Sequence, residues 1–269
     1  MPHDVAVIMP AYNAEKTIRR AVESLMRSVL PCDLLIVDDC SRIPVAEVLG
    51  PLPANVEILR LDQNSGVVGA RNAGVSRLLE RSYEFIAVLD ADDVSYPERL
   101  GRQAAFLRAN PGIALVGSWA RYIDENNGSA VYHYRPPSEP DAIRDALFLN
   151  NCTVHSSWMV RAQALREVGL YDERYPLGED YELLRRMAAK FAFANLPEYL
   201  IDYTISMSGL SMQKRRAQLL DRLRIQVKYF DPRRRSAWLG VARTLLLFAV
   251  PRRVLAAYRA EMGLRFQHP

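Results

Sequence analysis

Apolar residues in the first hundred positions fall into short continuous blocks, separated by stretches in which they recur at helical spacing. Val5-Ala6-Val7-Ile8-Met9 is such a block, halted by Pro10, which predicts a buried strand opening into a loop. Ile18, Ala21, Val22, Leu25, Met26 and Val29 then follow the helical period, with Asn13 as the expected cap and Pro31 as the stop. Residues 34–37, 56–59 and 85–89 predict three more strands, the last running straight into Asp90. Strands that alternate with helices favour a parallel sheet, because parallel neighbours need crossovers and the crossovers pack on both faces. The expected class is therefore α/β, with a mostly parallel central sheet flanked by helices.

Beyond residue 110 the pattern mixes. It suggests a strand near 114–117, a hairpin turn at Asn126-Asn127-Gly128, a helix near 141–149 and another after Asp180, a half expected to complete a substrate cleft. With 269 residues, 49% of them hydrophobic and 25% charged, the chain can bury one large core plus an appendage. Charge shows where the appendage starts. Residues 211–269 hold 14 Lys+Arg against 3 Asp+Glu, a net of +11, whereas the first 210 carry a net of −7. The division expected is a domain over 1–210 and a basic amphipathic helical tail over 211–269.

The tail's apolar stretch, from Trp238 to Val250 with Arg243 inside it, is shorter than the roughly 17–25 residues that cross a bilayer. It reads as an interfacial helix on an anionic membrane surface, or as a helical hairpin packed on the larger domain or on a second subunit, as in a homodimer. Cys32, Cys40 and Cys152 lack paired spacing, so neither a disulfide frame nor a structural zinc site is expected. The N-terminal residues do not look like a signal peptide. These features suit the cytoplasm, with attachment to the inner face of the membrane through the tail. Nucleic acid is not an expected partner.

Polar residues collect where the strands should end, which is where open α/β sheets bind ligands. Tyr12 and Asn13 follow the first strand, Asp38 and Asp39 the second, and Asp90, Asp92 and Asp93 the fourth. Three adjacent carboxylates repel one another unless they are solvated, protonated or shared by a cation. A hard ion such as Mg²⁺ or Mn²⁺ would resolve the conflict, taking its remaining ligands from water and a diphosphate. The alternative is a solvated acidic loop capping a helix that begins near Pro97. The segment from Gly66 to Gly74 has neither dinucleotide nor P-loop spacing. Gly66 reads as a turn into a helix, Gly74 as a close-packing position and Asn72 as a support for the acidic loop's backbone. Glu179 and Asp180 precede an apolar helix and could cap it, since acids are favoured at a helix N-terminus.

Taken in order, Pro10-Ala11-Tyr12-Asn13, Asp38-Asp39-Cys40-Ser41, Asn64-x-Gly66, Ala70-Arg71-Asn72-x-Gly74, Asp90-Ala91-Asp92-Asp93 and Glu179-Asp180 resemble the motifs of family 2 glycosyltransferases over about residues 4–205. The resemblance implies a Rossmann-like GT-A catalytic domain with a C-terminal helical extension. It also implies inversion at the anomeric carbon, dependence on Mg²⁺ or Mn²⁺, and a nucleotide-sugar donor, UDP-linked ahead of GDP- or dTDP-linked. Pro10, Ala11, Tyr12 and Asn13 would surround the nucleoside and Asp39 would bind the base. Arg71 would lie near the diphosphate or sugar, Asp90 and Ala91 at the ribose or sugar, and Asp92 on the metal. Asp180 would be the general base, with Glu179, His155, Trp158 and Asp93 on the acceptor side or in support.

The sequence departs from the family pattern at Arg42-Ile43-Pro44 and around residues 203–208, where a common histidine is missing and Ser206, Ser208 or a nearby basic residue would have to substitute. The implied role is transfer to a saccharide or lipid-linked acceptor in bacterial-type surface polysaccharide or glycolipid assembly. The alternatives are a non-catalytic sugar-nucleotide-binding protein and a metal-dependent nucleotidyltransferase.

Overall fold

A computed structural model describes residues 3–205 and 214–249. Among these, nine strands form one sheet. Its parallel part comprises β1 (Val5–Ala11), β2 (Asp33–Asp38), β3 (Val56–Arg60) and β4 (Phe85–Val88), in the spatial order β3-β2-β1-β4. The chain steps outward from β1 to β3 and returns to the other side of β1 at β4, so the β1/β4 boundary is a topological switch point, the place where such sheets open a crevice.

The sheet continues from β4 through β8 (Met159–Arg161), β6 (Ile113–Asp124) and β9 (Ala192–Ile205) to the short β5 (Val94–Ser95), while β7 (Ala130–Tyr134) pairs with β6. The expected hairpin is present between β6 and β7, with Gly128 at φ 69° in its turn. The strand expected at 114–117 is the first part of the much longer β6.

Alternate residues of the parallel strands feed two cores. Ala6, Ile8, Leu35, Val37, Ile86 and Val88 enter one cluster; Val5, Val7, Met9, Leu34, Ile36, Phe85 and Ala87 enter the other. Burial on both faces is why β1, β2 and β4 carry unbroken apolar runs. The helices α1 (Ile18–Met26), α2 (Val45–Leu49) and α4 (Arg99–Ala109) contribute to the second cluster. Those on the first are α3 (Gly66–Leu79), α5 (Pro140–Ala146), α6 (Ala162–Val168) and α7 (Glu179–Met187).

Two local expectations are corrected. Pro10 does not stop β1, which pairs with β2 as far as Ala11. Ile8 and Pro10 turn their backbone polar groups toward β4, and β4 leaves the ladder just after Leu89 has bonded Ile8. The N–H that Pro10 lacks therefore has no strand to serve. Asn13 does not cap α1, whose N-cap is Thr17. It sits at φ 50°, and its N–H donates to Ser41 Oγ (3.0 Å) while its Oδ1 accepts from the Arg42 N–H (2.9 Å), stitching the β1 and β2 exits together.

The described part of the tail is a helical hairpin, α8 (Arg215–Lys228) and α9 (Arg235–Ala249), packed on the larger domain. A Cβ at Gly240 would lie 2.1 Å from the Phe148 carbonyl oxygen, so α9 meets the α5 exit backbone to backbone. Gln226 donates to the Leu149 carbonyl, Asp221 accepts from the Leu177 N–H, and Lys228 pairs with Glu182 at 2.8 Å. The opposite face leaves Trp238, Leu239, Leu245 and Leu246 exposed. No described helix is long and apolar enough to cross a membrane.

Gly66 turns into α3 at φ 72°, and Gly74 lets α3 settle onto β1 and β2, both as expected. A Cβ at Gly74 would fall 2.4 Å from Ile8 Cδ1 and 2.8 Å from Val37 Cγ2. Gly74→Ala should therefore destabilise the fold by about 1–3 kcal/mol, the usual range for overpacking. Urea unfolding checks this; an unchanged midpoint would mean that α3 is not held this closely.

Candidate active site

The acidic segment 90–93 leaves β4 at the switch point and is pinned from several sides. The Asp90 N–H donates to Ser156 Oγ (3.2 Å), and Asp93 Oδ1 accepts from the Thr204 N–H (2.7 Å). The Asp92 carbonyl accepts from Arg20 of α1 (2.9 Å) and from the Thr204 hydroxyl. The loop is thus fixed through the Asp90 N–H, the Asp92 carbonyl and the Asp93 side chain, which leaves the Asp92 side chain outside these bonds.

Beneath it lies Arg71 of α3, only 6% exposed. Its Nη2 pairs with Asp90 Oδ1 at 2.8 Å and its Nη1 with Glu179 Oε1 of α7. One guanidinium therefore joins the β4 exit to the α7 N-terminus, segments far apart in sequence. Next to Glu179, Asp180 accepts from Asn151 Nδ2 (2.7 Å) and from the Tyr181 N–H (2.6 Å). Glu179 and Asp180 do not cap α7, whose N-cap is Gly178 without a side-chain cap; they lie in its first turn, where acids suit the helix dipole.

Crowding sets the protonation of these groups. Burial is the largest influence on Asp90 and opposes its charge, but the Arg71 guanidinium and the surrounding hydrogen bonds together hold the carboxyl below its ordinary range. Burial, then the charge on Asp90, raises Asp92 to about 6. Burial, with Asp92 and Asp90, raises Asp93 well above its usual value. Glu179 is raised to about 7 by burial, against the pull of Arg71 and with help from Asp180. Asp180 is raised by burial more than Arg71 and its hydrogen bonds lower it.

Among the described residues no group of three or more His, Cys, Asp or Glu side chains is arranged to cage a metal. Asp92 forms no ion pair there, whereas Asp90 is already neutralised by Arg71. That donor set fits a hard cation held by one protein carboxylate and completed by phosphate and water oxygens.

The two aspartates after β2 divide their tasks. Asp38 is fully buried and accepts from the N–H groups of Ser41 (2.9 Å) and Val45 (3.1 Å) and from Arg60, so it builds the turn. Asp39 accepts from the Ser65 N–H (2.7 Å) at the start of α3, and burial raises its pKa. Pro10 and Ala11 lie buried at the end of β1, and Tyr12 is 52% exposed. Ala91 is buried within the acidic loop. Arg42 is exposed, with its backbone tied to Asn13.

His155 and Trp158 are both buried. Trp158 is fully buried and donates its indole N–H to Thr153 Oγ1 (2.8 Å), while His155 bonds the Tyr171 hydroxyl (2.9 Å) and packs edge-on to Trp158. Burial holds His155 well below its ordinary pKa, with Arg71 adding to the effect, so the ring is neutral. Both residues lie under the site's floor. Asn72 does not support the acidic loop either: it clamps the Tyr171 backbone, donating to its carbonyl (3.0 Å) and accepting from its N–H (2.9 Å). Ser206 and Ser208 lie outside the described residues. Arg20, Asn151, Ser156 and Thr204 were not singled out by the sequence; each is remote along the chain from the carboxylate it serves.

A model of the family described as glycosyl transferase family 2 matches residues 6–169. The chain belongs to that family. An uncharacterized glycosyltransferase of Methanocaldococcus jannaschii is 29% identical over 209 residues, covering 75% of this chain and 70% of its own. The amylovoran biosynthesis glycosyltransferase AmsE of Erwinia amylovora is 28% identical over 207 residues, covering 73% and 74%. Other relatives are longer, and the chain spans 65% of a Haemophilus influenzae glycosyltransferase.

The fold of this family 2 member is GT-A. It superposes on S. aureus TarS residues 1–349 in complex with UDP-GlcNAc at a TM-score of 0.69, with 20% identity and coverage of 91% of this chain and 72% of that one. It also superposes on the mannosyltransferase PcManGT of Pyrobaculum calidifontis, in complex with GDP-Man and Mn2+, at a TM-score of 0.66, with 13% identity and coverage of 98% and 75%.

Removing Arg71 should leave Asp90 and Glu179 buried without their shared cation. Arg71→Met is expected to cost about 3–5 kcal/mol, the range for breaking a buried ion pair. Arg71→Lys should recover only part, because one ammonium cannot reproduce a planar fork spanning two carboxylates. Full recovery in the lysine variant, measured by chemical denaturation, would count against the bridging role.

Proposed function

We propose that this chain moves a sugar, with inversion, from a nucleoside-diphosphate-sugar to an acceptor hydroxyl. Asp92 holds Mg²⁺ or Mn²⁺, and Asp180 takes the acceptor's proton. The observation that carries this reading is the Arg71 bridge, which ties the acidic loop of the β4 exit to the Glu179-Asp180 end of α7. An in-line displacement needs a base and a site for the leaving group on either side of one anomeric carbon, and the bridge fixes one element of each kind.

Pro10, Ala11, Tyr12, Asn13 and Asp39 gather at the β1 and β2 exits; we assign them to the nucleoside, with Asp39, whose Oδ1 accepts from the Ser65 N–H, at the base. Asp90 and Ala91 lie next along the crevice, toward the ribose and sugar. Asp92, without an ion pair, is the carboxylate available for the cation, which when bound stabilises charge on the departing diphosphate. Asp93, His155 and Trp158 support the loop and floor from below. Asn151 orients Asp180 by donating to one of its oxygens. The raised pKa of Asp180 makes it a stronger base than an ordinary aspartate once ionised.

UDP-sugars are the first expectation, with GDP- and dTDP-sugars next; the TarS complex with UDP-GlcNAc and the PcManGT complex with GDP-Man and Mn2+ support a sugar nucleotide and a cation at this fold. The AmsE relative favours polysaccharide assembly. A non-catalytic sugar-nucleotide binder has no need of the Asn151-oriented carboxylate at Asp180, which disfavours that reading.

The test is a screen of UDP-, GDP- and dTDP-sugars with Mg²⁺ or Mn²⁺, scoring nucleoside-diphosphate release and protection from unfolding. Asp180→Asn should lower transfer by roughly 10²–10⁴-fold, the span of general-base catalysis, while donor protection survives. Asp92→Ala should abolish the metal-dependent part of the protection. Because the Asp180 pKa is raised and the base works ionised, kcat/KM should fall on acidification along a limb that lies above the ordinary carboxylate range. A fully active Asp180→Asn variant sinks the assignment.

The apolar outer face of α9, beside Arg233, Arg234, Arg235 and Arg243, supports peripheral attachment to an anionic membrane. Leu246→Asp should reduce co-sedimentation with phosphatidylglycerol vesicles. Equal pelleting of the variant and the parent chain would remove α9 from that role.

A further inference from the structure

The helix α8 carries buried polar side chains that neither donor chemistry nor membrane attachment uses. Asp221 is one of three acids in the basic tail, and it is only 4% exposed. Its Oδ2 accepts from the Leu177 N–H (3.1 Å), three residues before Asp180. On the neighbouring ridge of the helix, Gln226 and Arg222 donate to the Leu149 carbonyl (2.9 and 3.2 Å), two residues before Asn151. Asn151 and Asp180 are the partners in the hydrogen bond that orients the base. We infer that α8 positions the base by gripping the chain at both ends of that bond, with Asp221 and Gln226 as its positioning residues. The inference rests on the assignment of Asp180 above.

The helical period explains how one helix reaches both segments. Asp221 and Ile225, one turn apart, face the N-cap of α7: a Cβ at Gly178 would lie 3.1 Å from Ile225 Cδ1 and 3.4 Å from Asp221 Cβ. Arg222 and Gln226, likewise one turn apart, form the adjacent row on Leu149. At the end of α8, Lys228 Nζ and the Tyr229 hydroxyl both reach Glu182 Oε1 at 2.8 Å. Glu182 is fully buried and lies two residues after Asp180. The start of α7 is therefore held on both sides of Asp180, at Leu177 and at Glu182. Asn151 is held in turn, because its Oδ1 accepts from the Thr153 N–H and hydroxyl (both 2.9 Å) while its Nδ2 donates to Asp180.

Apolar contact alone would fasten α8, since Ile225 is fully buried in the same core cluster as Leu183 and Leu184 of α7. Such contact has no direction and tolerates sliding. A carboxylate bonded to a backbone N–H fixes both a direction and a distance. Taking Asp221 out of water is costly unless it meets such a donor, so the bond to Leu177 marks where the register of α7 is set. These contacts go to the segments that carry and orient the base, and none of them goes to the β1, β2 or β4 exits assigned to the donor. The displacement they oppose is a shift of the Asp180 carboxylate relative to the anomeric carbon. A misplacement of about 1 Å can cost about 10²-fold in rate.

The experiment uses the full chain, the donor found in the screen above and a mixture of methyl gluco-, galacto- and mannopyranosides as acceptors. Nucleoside-diphosphate release gives kcat and the donor KM, and protection from unfolding gives donor binding. Asp221→Ala should lower kcat by about 10- to 100-fold, with the donor KM and donor protection unchanged, the split expected when only the transition state loses an interaction. Asp221→Asn should recover most of the rate, because an amide oxygen can still accept from the Leu177 N–H. Gln226→Met should lower kcat in the same way from the Asn151 end. Added to Asp180→Asn, Asp221→Ala should cause no further loss, since it acts through that carboxylate. A wild-type kcat in Asp221→Ala overturns the inference. So does loss of donor protection along with transfer, which would make α8 a support of the whole domain, or a full further loss in the Asp180→Asn background. Failure of every donor to release nucleotide, or full activity of Asp180→Asn, overturns instead the reading on which the inference stands.

Discussion

Like charges brought out of water repel strongly, and this molecule brings Asp90, Asp92, Asp93, Glu179 and Asp180 toward one crevice. The buried guanidinium of Arg71 makes that arrangement tolerable. Its position on α3 depends on Gly74, since only a residue without a side chain lets that helix settle onto Ile8 and Val37. Backbone packing in the parallel half of the sheet thus decides where the cation sits. The cation in turn decides which carboxylate is quenched and which is left for chemistry. Asp90 is paired with it and Asp92 is not, though they are two residues apart.

The same constraint explains why the site has a floor as well as a rim. Asp93 is turned inward and held by Thr204, and the neutral His155 lies beside Arg71 and Asp90 without adding a charge. A protonated imidazole there would face the guanidinium. Burial prevents that, and the Tyr171 hydroxyl fixes the ring, with Asn72 holding the Tyr171 backbone in place. Residues that look catalytic by type are here part of the insulation that lets fewer groups act.

What was legible in the sequence follows from the same physics. Strands β1, β2 and β4 are buried on both faces, so each leaves an unbroken apolar block, whereas the edge strand β3 is only half-buried and carries Glu57. The long β9 leaves no such block, because Asn195, Pro197 and Glu198 interrupt its apolar residues and its pairing with β6 shifts register at bulges. It was not anticipated. Asn13 was read as a cap because asparagine suits caps, but asparagine also tolerates positive φ, and here it binds two loops. Asp92 and Asp180 were reachable through the order of motifs that the family shares. The Arg71–Glu179 pair joins residues 108 positions apart and Asn151 reaches Asp180 across 29, distances at which periodicity carries no information.

The two halves of the sheet also differ in how freely they can change. In β1, β2 and β4 nearly every side chain is committed to one of two cores, so these strands and their exits have little freedom to change. The β6–β7 hairpin is an edge element with one open face, and most of β7 is exposed. Substitutions there alter a surface without opening a cavity, and edge and loop positions are where proteins commonly carry specificity. Such a strand is still coupled to the acidic loop: cross-strand pairing conveys the position of Tyr132 through Tyr122 to Tyr203, whose neighbour Thr204 is bonded to Asp93.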